Sequence, residues 1–257
     1  MWDRYNIGLN THFYSHNSML ETMGNPSEKY GILIESRAIV PEDYKIFEKH
    51  KGLEKEFKYI FTYDDKILNT ISNARFVPFN ANFCYGHETK GFKVSDQNYK
   101  SKSKNISMVC SNKELCELHK IRKSVALKCK KEKLADTFGK FDGGKYIKIE
   151  ECLEKYRFSI VFENDISDYY FTERLTNCFA AQTIPIYLGA RKIDNFFNTD
   201  GIIQISLKDI ENIENILKIC TKEFYEDRIN AIIDNYNRVQ KYKHPLDMMY
   251  KEYFANK

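Results

Sequence analysis

The sequence predicts an α/β protein of two doubly wound domains facing one another across a cleft, with a helical segment at the C-terminus. Three observations carry this reading. Short apolar runs of strand length alternate with helical stretches on both sides of one long polar stretch. The segment from Arg157 to Gly189 reads strand, loop, helix, strand, which is a βαβ unit and so requires a parallel sheet. From Leu207 onward the pattern is almost entirely helical, with a break at Pro245.

Each element follows from its residues. Tyr30–Glu35 (YGILIE), Tyr59–Tyr63 (YIFTY) and Arg75–Phe79 (RFVPF) are rich in aromatic and β-branched side chains, and each runs into a polar or helical connection. They are expected to be parallel strands of a first domain, 1–100. The stretch His87–Asn105 is crowded with Lys, Ser and Asn and reads as a linker or long inter-domain loop. Beyond it, Ile106–Ser111 should be a strand, Lys113 to about Lys133 a helix, and Arg157–Glu163 (RFSIVFE) a buried strand. Thr172–Gln182 places Leu175, Cys178, Phe179 and Gln182 on one side of a helix, and Ile184–Gly189 returns as another buried strand. These make a second domain, 101–240, followed by a helical tail, 241–257.

Composition narrows the function classes. Of 257 residues, 42% are hydrophobic and 30% charged, which supplies a packed core and gives no case for global disorder. Lys plus Arg (40) exceeds Asp plus Glu (36) by only four, too little to predict a nucleic-acid binder from charge. The start, with Asp3 and Arg4, lacks the apolar run of ~7 to 15 residues that an export signal needs. The apolar stretches fall short of the ~20 residues that span a bilayer. A cytoplasmic protein is expected, with at most peripheral contact at the inner membrane face, for which Lys128, Lys130, Lys131 and Lys133 are the candidate residues. The seven cysteines include no CxxC pair and read as reduced thiols. His12 and His16 stand four apart and could share a helix face, but no third metal ligand is evident.

The chemistry concentrates after RFSIVFE. The loop NDISDYYF leads to Thr172, a good N-cap, with Glu173 and Arg174 in the first turn of the helix. A helix N-terminus at the carboxyl end of a strand is an anion site, because its free N–H groups and dipole point outward. A cation in that first turn opposes the dipole by about 0.3 to 1 kcal/mol. A bound phosphate would account for Arg174.

FENDISDYYFTERLTNCFAAQTIPIYLG resembles the donor-binding motif of the family 10 α-1,3-fucosyltransferases: F-E-N, a variable stretch, Y-x-T-E-K-L, a small-residue helix, then P and G. CSNKELCELHKIRKSVALK is similar to the family's upstream S-N…R segment, which includes Ser111, Asn112 and Arg122. TFGKFDGG resembles the Gly-containing turn that follows it, and ILIESRAIVPEDY more faintly resembles the strand and Glu carrying the family's base. The resemblance implies a GT-B-like architecture of two Rossmann-like domains, GDP-fucose as donor, inversion of the anomeric centre, and a glycan acceptor that can be lipid-linked. It implies donor-binding roles for Ser111, Asn112, Arg122, Asn164, Tyr170, Thr172, Glu173 and Arg174, with Glu173 on the ribose hydroxyls and the two arginines on the leaving diphosphate.

Such a transfer needs cations where the diphosphate's charge develops and a carboxylate to take the acceptor hydroxyl's proton. Glu35, at the end of YGILIE, is the candidate base, and partial burial in the cleft should raise its pKa toward a useful range. No D-x-D spacing follows a strand, so no metal or other cofactor is expected. Arg174 stands where the family most often has Lys, and the two are not equivalent anion ligands. Two alternatives therefore stay open: a transferase using a different nucleotide sugar, and a non-catalytic nucleotide or sugar binder.

Overall fold

The computed structural model describes residues 5–255. Residues 1–4 and 256–257, with Asp3 and Arg4, lie outside the described residues. Among the described residues nine strands form two wholly parallel sheets. The first holds β1 (Thr11–Ser15), β2 (Glu28–Ile32), β3 (Tyr59–Thr62) and β4 (Ala74–Phe76) in the order β1-β2-β3-β4. The second holds β5 (Lys104–Val109), β6 (Asp136–Phe138), β7 (Tyr156–Phe162), β8 (Ile184–Leu188) and β9 (Ile203–Gln204) in the order β6-β5-β7-β8-β9.

The α/β class and GT-B-like architecture read from the sequence are those of the structure. β1 and β6 carried no readable strand signal. β1 contains His12, and His16 begins a 3₁₀ turn (His16–Leu20), so the two do not share a helix face. β6 is three residues long and was read only as the approach to a glycine turn. That turn needs its glycine: Gly139 has φ +104°, and a Cβ there would run into the Cys110 carbonyl at the end of β5.

Between the strands lie α1 (Pro41–Tyr44), α2 (Ile46–Lys49), α3 (Asp65–Thr70), α4 (Glu117–Glu132), α5 (Ile149–Leu153) and α6 (Glu173–Ala180). The C-terminal region is helical as expected, with α7 (Ile213–Lys218), α8 (Lys222–Glu226), α9 (Ile229–Val239) and α10 (Pro245–Tyr253). Pro245 starts α10 because its fixed φ and missing N–H suit a first helical position. The tail does not trail free: Met249, Tyr253 and Phe254 pack on Tyr30, Phe61 and Phe13, the aromatic face of the first sheet.

β7 is the central strand of the second sheet, flanked by β5 and β8. Helices cover both faces, which is why its sequence is apolar almost throughout and five of its seven residues run buried without a break. The connection 87–105 is polar for a reason other than solvation. Glu150 accepts the N–H groups of Glu88 and Thr89, and that of Gly86 just before the stretch. Asn98 donates to the Ala181 carbonyl, and the Lys102 ammonium donates to Leu153 O, Ala181 O and Thr183 Oγ1. Lys102 is 7% exposed, and burial holds its pKa well below the ordinary lysine value. The stretch is thus an anchored connection whose lysine and asparagine satisfy the carbonyls left open at the C-terminal ends of α5 and α6.

Candidate active site

In the second sheet the winding reverses between β5 and β7. β5 leads through α4 to β6 on one side, and β7 leads through α6 to β8 on the other. A crevice opens where two such neighbouring strands send their chains apart, at their carboxyl ends. Both helices that leave this crevice carry an arginine toward it, Arg122 from α4 and Arg174 from α6, and both side chains line one cavity of about 280 Å³. Glu173, Asn177, Cys84, Glu88 and Tyr146 complete its polar wall.

Arg122 is 1% exposed. Its Nη1 donates to the Phe162 carbonyl at the end of β7 (3.0 Å), while Nε and Nη2 are buried without a hydrogen-bond acceptor. The Cys110 thiol, a weak acceptor, lies against it. Burial first, then the nearby Arg174 cation, brings its pKa down to about 10, so it stays charged at neutral pH. His119, one turn earlier on α4, is brought down to about 4 by burial and by the same two arginines, and it accepts the Leu115 N–H on Nδ1. Among the described residues neither arginine has a carboxylate within ion-pairing distance. Two guanidinium groups with no carboxylate in direct contact, one of them in the first turn of α6, form an electrostatic sink for a polyanion.

The N-terminus of α6 is built by Thr172, whose Oγ1 accepts the Arg174 N–H (3.2 Å). Behind it stands Glu163, fully buried at the end of β7, accepting both the Thr172 N–H (2.9 Å) and the Thr172 hydroxyl (2.7 Å). Burial pushes the Glu163 carboxyl up to about 7, against the pull of Arg174. Gly189 closes this knot: a Cβ there would meet the Tyr187 hydroxyl and come within 2.6 Å of Glu163 Cγ. Glu163 was missed from sequence although it stands inside F-E-N. The signal available was a carboxylate ending a wholly apolar strand, a position that demands local donors.

The residues expected at the donor site divide three ways. Arg122, Glu173 and Arg174 line the cavity. Ser111 and Asn112 sit on the loop after β5, half-buried and exposed, outside the cavity wall, and Asn164 has a buried Oδ1 without a partner at the end of β7. Thr172 and Tyr170 are buried behind the wall: the Thr172 hydroxyl is committed to the cap, and the Tyr170 ring packs on Tyr63 of the first half at 4.4 Å.

Glu35 lies three residues past β2 on an exposed loop. The partial burial expected to tune it is therefore absent. Its backbone carbonyl accepts the Tyr44 and Tyr63 hydroxyls, and its carboxylate is close enough to act on Tyr170. Arg37, two residues further on, does not pair with it but makes a two-pronged contact with Asp64 (2.9 Å for each bond). The two halves meet nearby, where Asp165 Oδ2 accepts the Ala38 N–H (3.3 Å) and Arg191 bridges Asp65 and Asp168. Of the four surface lysines considered for lipid contact, Lys128 is paired with Glu214 and Lys130 with Asp142. No helix among the described residues is long and apolar enough to cross a membrane, and no three metal-ligating side chains gather there.

Two parallel sheets, with a crevice lined by two arginines at the switch point of the second, define the class: a GT-B-type fold. Residues 99–226, the segment that carries both arginines, match the family model described as glycosyltransferase family 10 (fucosyltransferase) C-term. A stretch of 99 residues, 38% of this chain, is 28% identical to the alpha-(1,3)-fucosyltransferase FucT of Helicobacter pylori and spans 19% of that enzyme's length. The fold is shared with crystal structures of α1,3-fucosyltransferase with GDP-fucose and with GDP. The first has TM-score 0.54 at 17% identity, covering 86% of this chain and 68% of the other. The second has TM-score 0.54 at 16% identity, covering 89% and 83%.

Proposed function

We propose that the protein is an inverting glycosyltransferase that moves fucose from GDP-fucose to a glycan hydroxyl. The observation that carries this reading is the convergence of Arg122 and Arg174, with no carboxylate in direct contact, on the cavity at the β5/β7 switch point. In the reaction the acceptor oxygen attacks the anomeric carbon as the bond to the diphosphate breaks on the opposite face, and Glu35 takes the hydroxyl proton. The leaving diphosphate gains charge as that bond lengthens, and the two guanidinium groups are already in place to stabilise it without reorganising. Glu173 accepts the ribose hydroxyls from the first turn of α6, a geometry a carboxylate can satisfy twice. Because Glu35 belongs to the first half and the arginines to the second, the cleft closes around the acceptor before transfer. The reaction calls on no metal, so chelation leaves turnover unchanged.

A melting experiment tests the donor. Ligand at 100 times its Kd stabilises by about 2.7 kcal/mol, a rise of roughly 2 to 4 °C per kcal/mol for a domain of this size. GDP gives that rise and UDP does not; equal shifts would remove the guanine assignment. A second reading, a nucleotide-sugar binder without transfer, is favoured by the exposed position of Glu35. It is distinguished by a GDP-induced rise with no release of GDP from any GDP-sugar.

A further inference from the structure

A carboxylate buried without a cation in direct contact is expensive unless something else requires it, and Glu163 is such a group. It is 0% exposed, and its two oxygens accept the Thr172 backbone N–H and hydroxyl, with the neutral Tyr187 hydroxyl also hydrogen-bonded to the carboxylate. Every element packed around it brings a charged or titratable side chain within electrostatic reach. α4 brings Arg122; α6 brings Arg174, Glu173 and Cys178; the loop before α6 brings Tyr170; β8 brings Tyr187. The two cations of that set belong to the cavity, and the three hydroxyl- or thiol-bearing groups are neutral at neutral pH.

On the reading of the cavity as a diphosphate site, we infer that Glu163 is a positioning residue with two charge states. Ionised in the empty site, it holds the Thr172 cap and balances Arg122 and Arg174. When a diphosphate settles on those arginines, it takes up a proton from solvent. The physical reason is the exchange of counter-ions. The incoming polyanion neutralises the guanidinium groups that favour the ionised carboxylate and adds negative charge beside it, and both changes favour the protonated form. The hydrogen bonds permit this. A protonated Glu163 can still accept the Thr172 N–H on one oxygen, while its new O–H faces the Thr172 hydroxyl, which can accept as well as donate. The first turn of α6 therefore keeps its geometry while the net charge of the site changes. Burial already places the Glu163 pKa about 7, where this exchange falls within the neutral range. By linkage, donor affinity weakens as pH rises above neutrality, by up to about tenfold per pH unit if a whole proton is taken up.

Titration calorimetry with GDP at pH 8, in two buffers of widely different ionisation enthalpy, reads the proton count directly. At that pH the nucleotide phosphates are fully ionised. The expected result is net proton uptake by the wild-type protein and none by Glu163→Gln, with the GDP affinity of the wild type falling from pH 7 to pH 9 and that of the variant flat. GDP binding with equal heats in both buffers overturns the inference and leaves the donor assignment standing. Absence of any GDP binding to the wild-type protein overturns both. Since the wild-type measurement decides the question alone, failure of the variant to fold does not protect the inference. Thr172→Ser, which keeps both hydrogen bonds, should retain the uptake; its loss in that variant would also count against the inference.

Discussion

The two sheets solve different problems. Around the second, the polar groups are buried and fixed in advance: Glu163 caps Thr172, Asn177 Oδ1 accepts the N–H groups of Cys84 and Tyr85 (2.7 and 2.8 Å), and the buried Arg122 is tied to the Phe162 carbonyl. Around the first, strand ends open into exposed loops, and the one candidate base lies on such a loop. Sheet order contributes to the difference. The first sheet, β1-β2-β3-β4, winds in one direction and creates no switch point among its described strands; the second reverses once and gains a crevice. On the proposed function, the rigid site suits a ligand of fixed chemistry, the donor's nucleoside diphosphate, and the open loop cluster suits acceptors that differ between enzymes, at the cost of completing the site only on closure.

Substitutions can break this comparison at several points. If the first half supplies only the proton acceptor, Glu35→Ala lowers transfer about 10²- to 10⁴-fold while leaving the GDP-induced melting shift intact. Loss of the shift would show that Glu35 belongs to the donor site. Arg174→Ala should lower transfer by roughly 10²- to 10³-fold and, unlike Glu35→Ala, weaken GDP binding as well, so the pair of assays separates the halves. The stability profile tests the buried carboxylate. With its folded pKa raised to about 7 from an ordinary 4.5, the folded state holds a proton that the unfolded chain releases, so the stabilisation is complete below about pH 4.5 and is lost as pH rises to about 7. Denaturant titrations across that window should therefore show wild type losing up to about 3 kcal/mol relative to Glu163→Gln. The effect of Gly189→Ala is of similar or smaller size, about 1 to 3 kcal/mol of overpacking against Tyr187 and Glu163. It should appear as a lower Tm, with GDP binding weakened because the knot under α6 moves.

Much of the second half was legible. β7 and β8 announce themselves as unbroken apolar runs, and Thr172, Glu173 and Arg174 as a capped helix start, because periodicity and capping are local properties. β1 and β6 were not legible. THFYS and DTF are too short and too polar to stand out, and they exist as strands because a neighbour, β2 or β5, supplies the ladder. Tyr170 matched the family motif from sequence, yet its ring is spent on Tyr63, a contact between residues more than a hundred positions apart.

The sequence alone determined the parallel α/β class, the helical end and the chemistry of the α6 N-terminus, since each depends on residues within one or two turns of one another. Only the tertiary structure decided that Arg122 would lose its solvent and face Arg174 across a cavity, that Glu163 would be buried among them, and that Glu35 would remain in the open. Burial and charge proximity are set by which distant segments the sheet order brings together, and no local pattern encodes them.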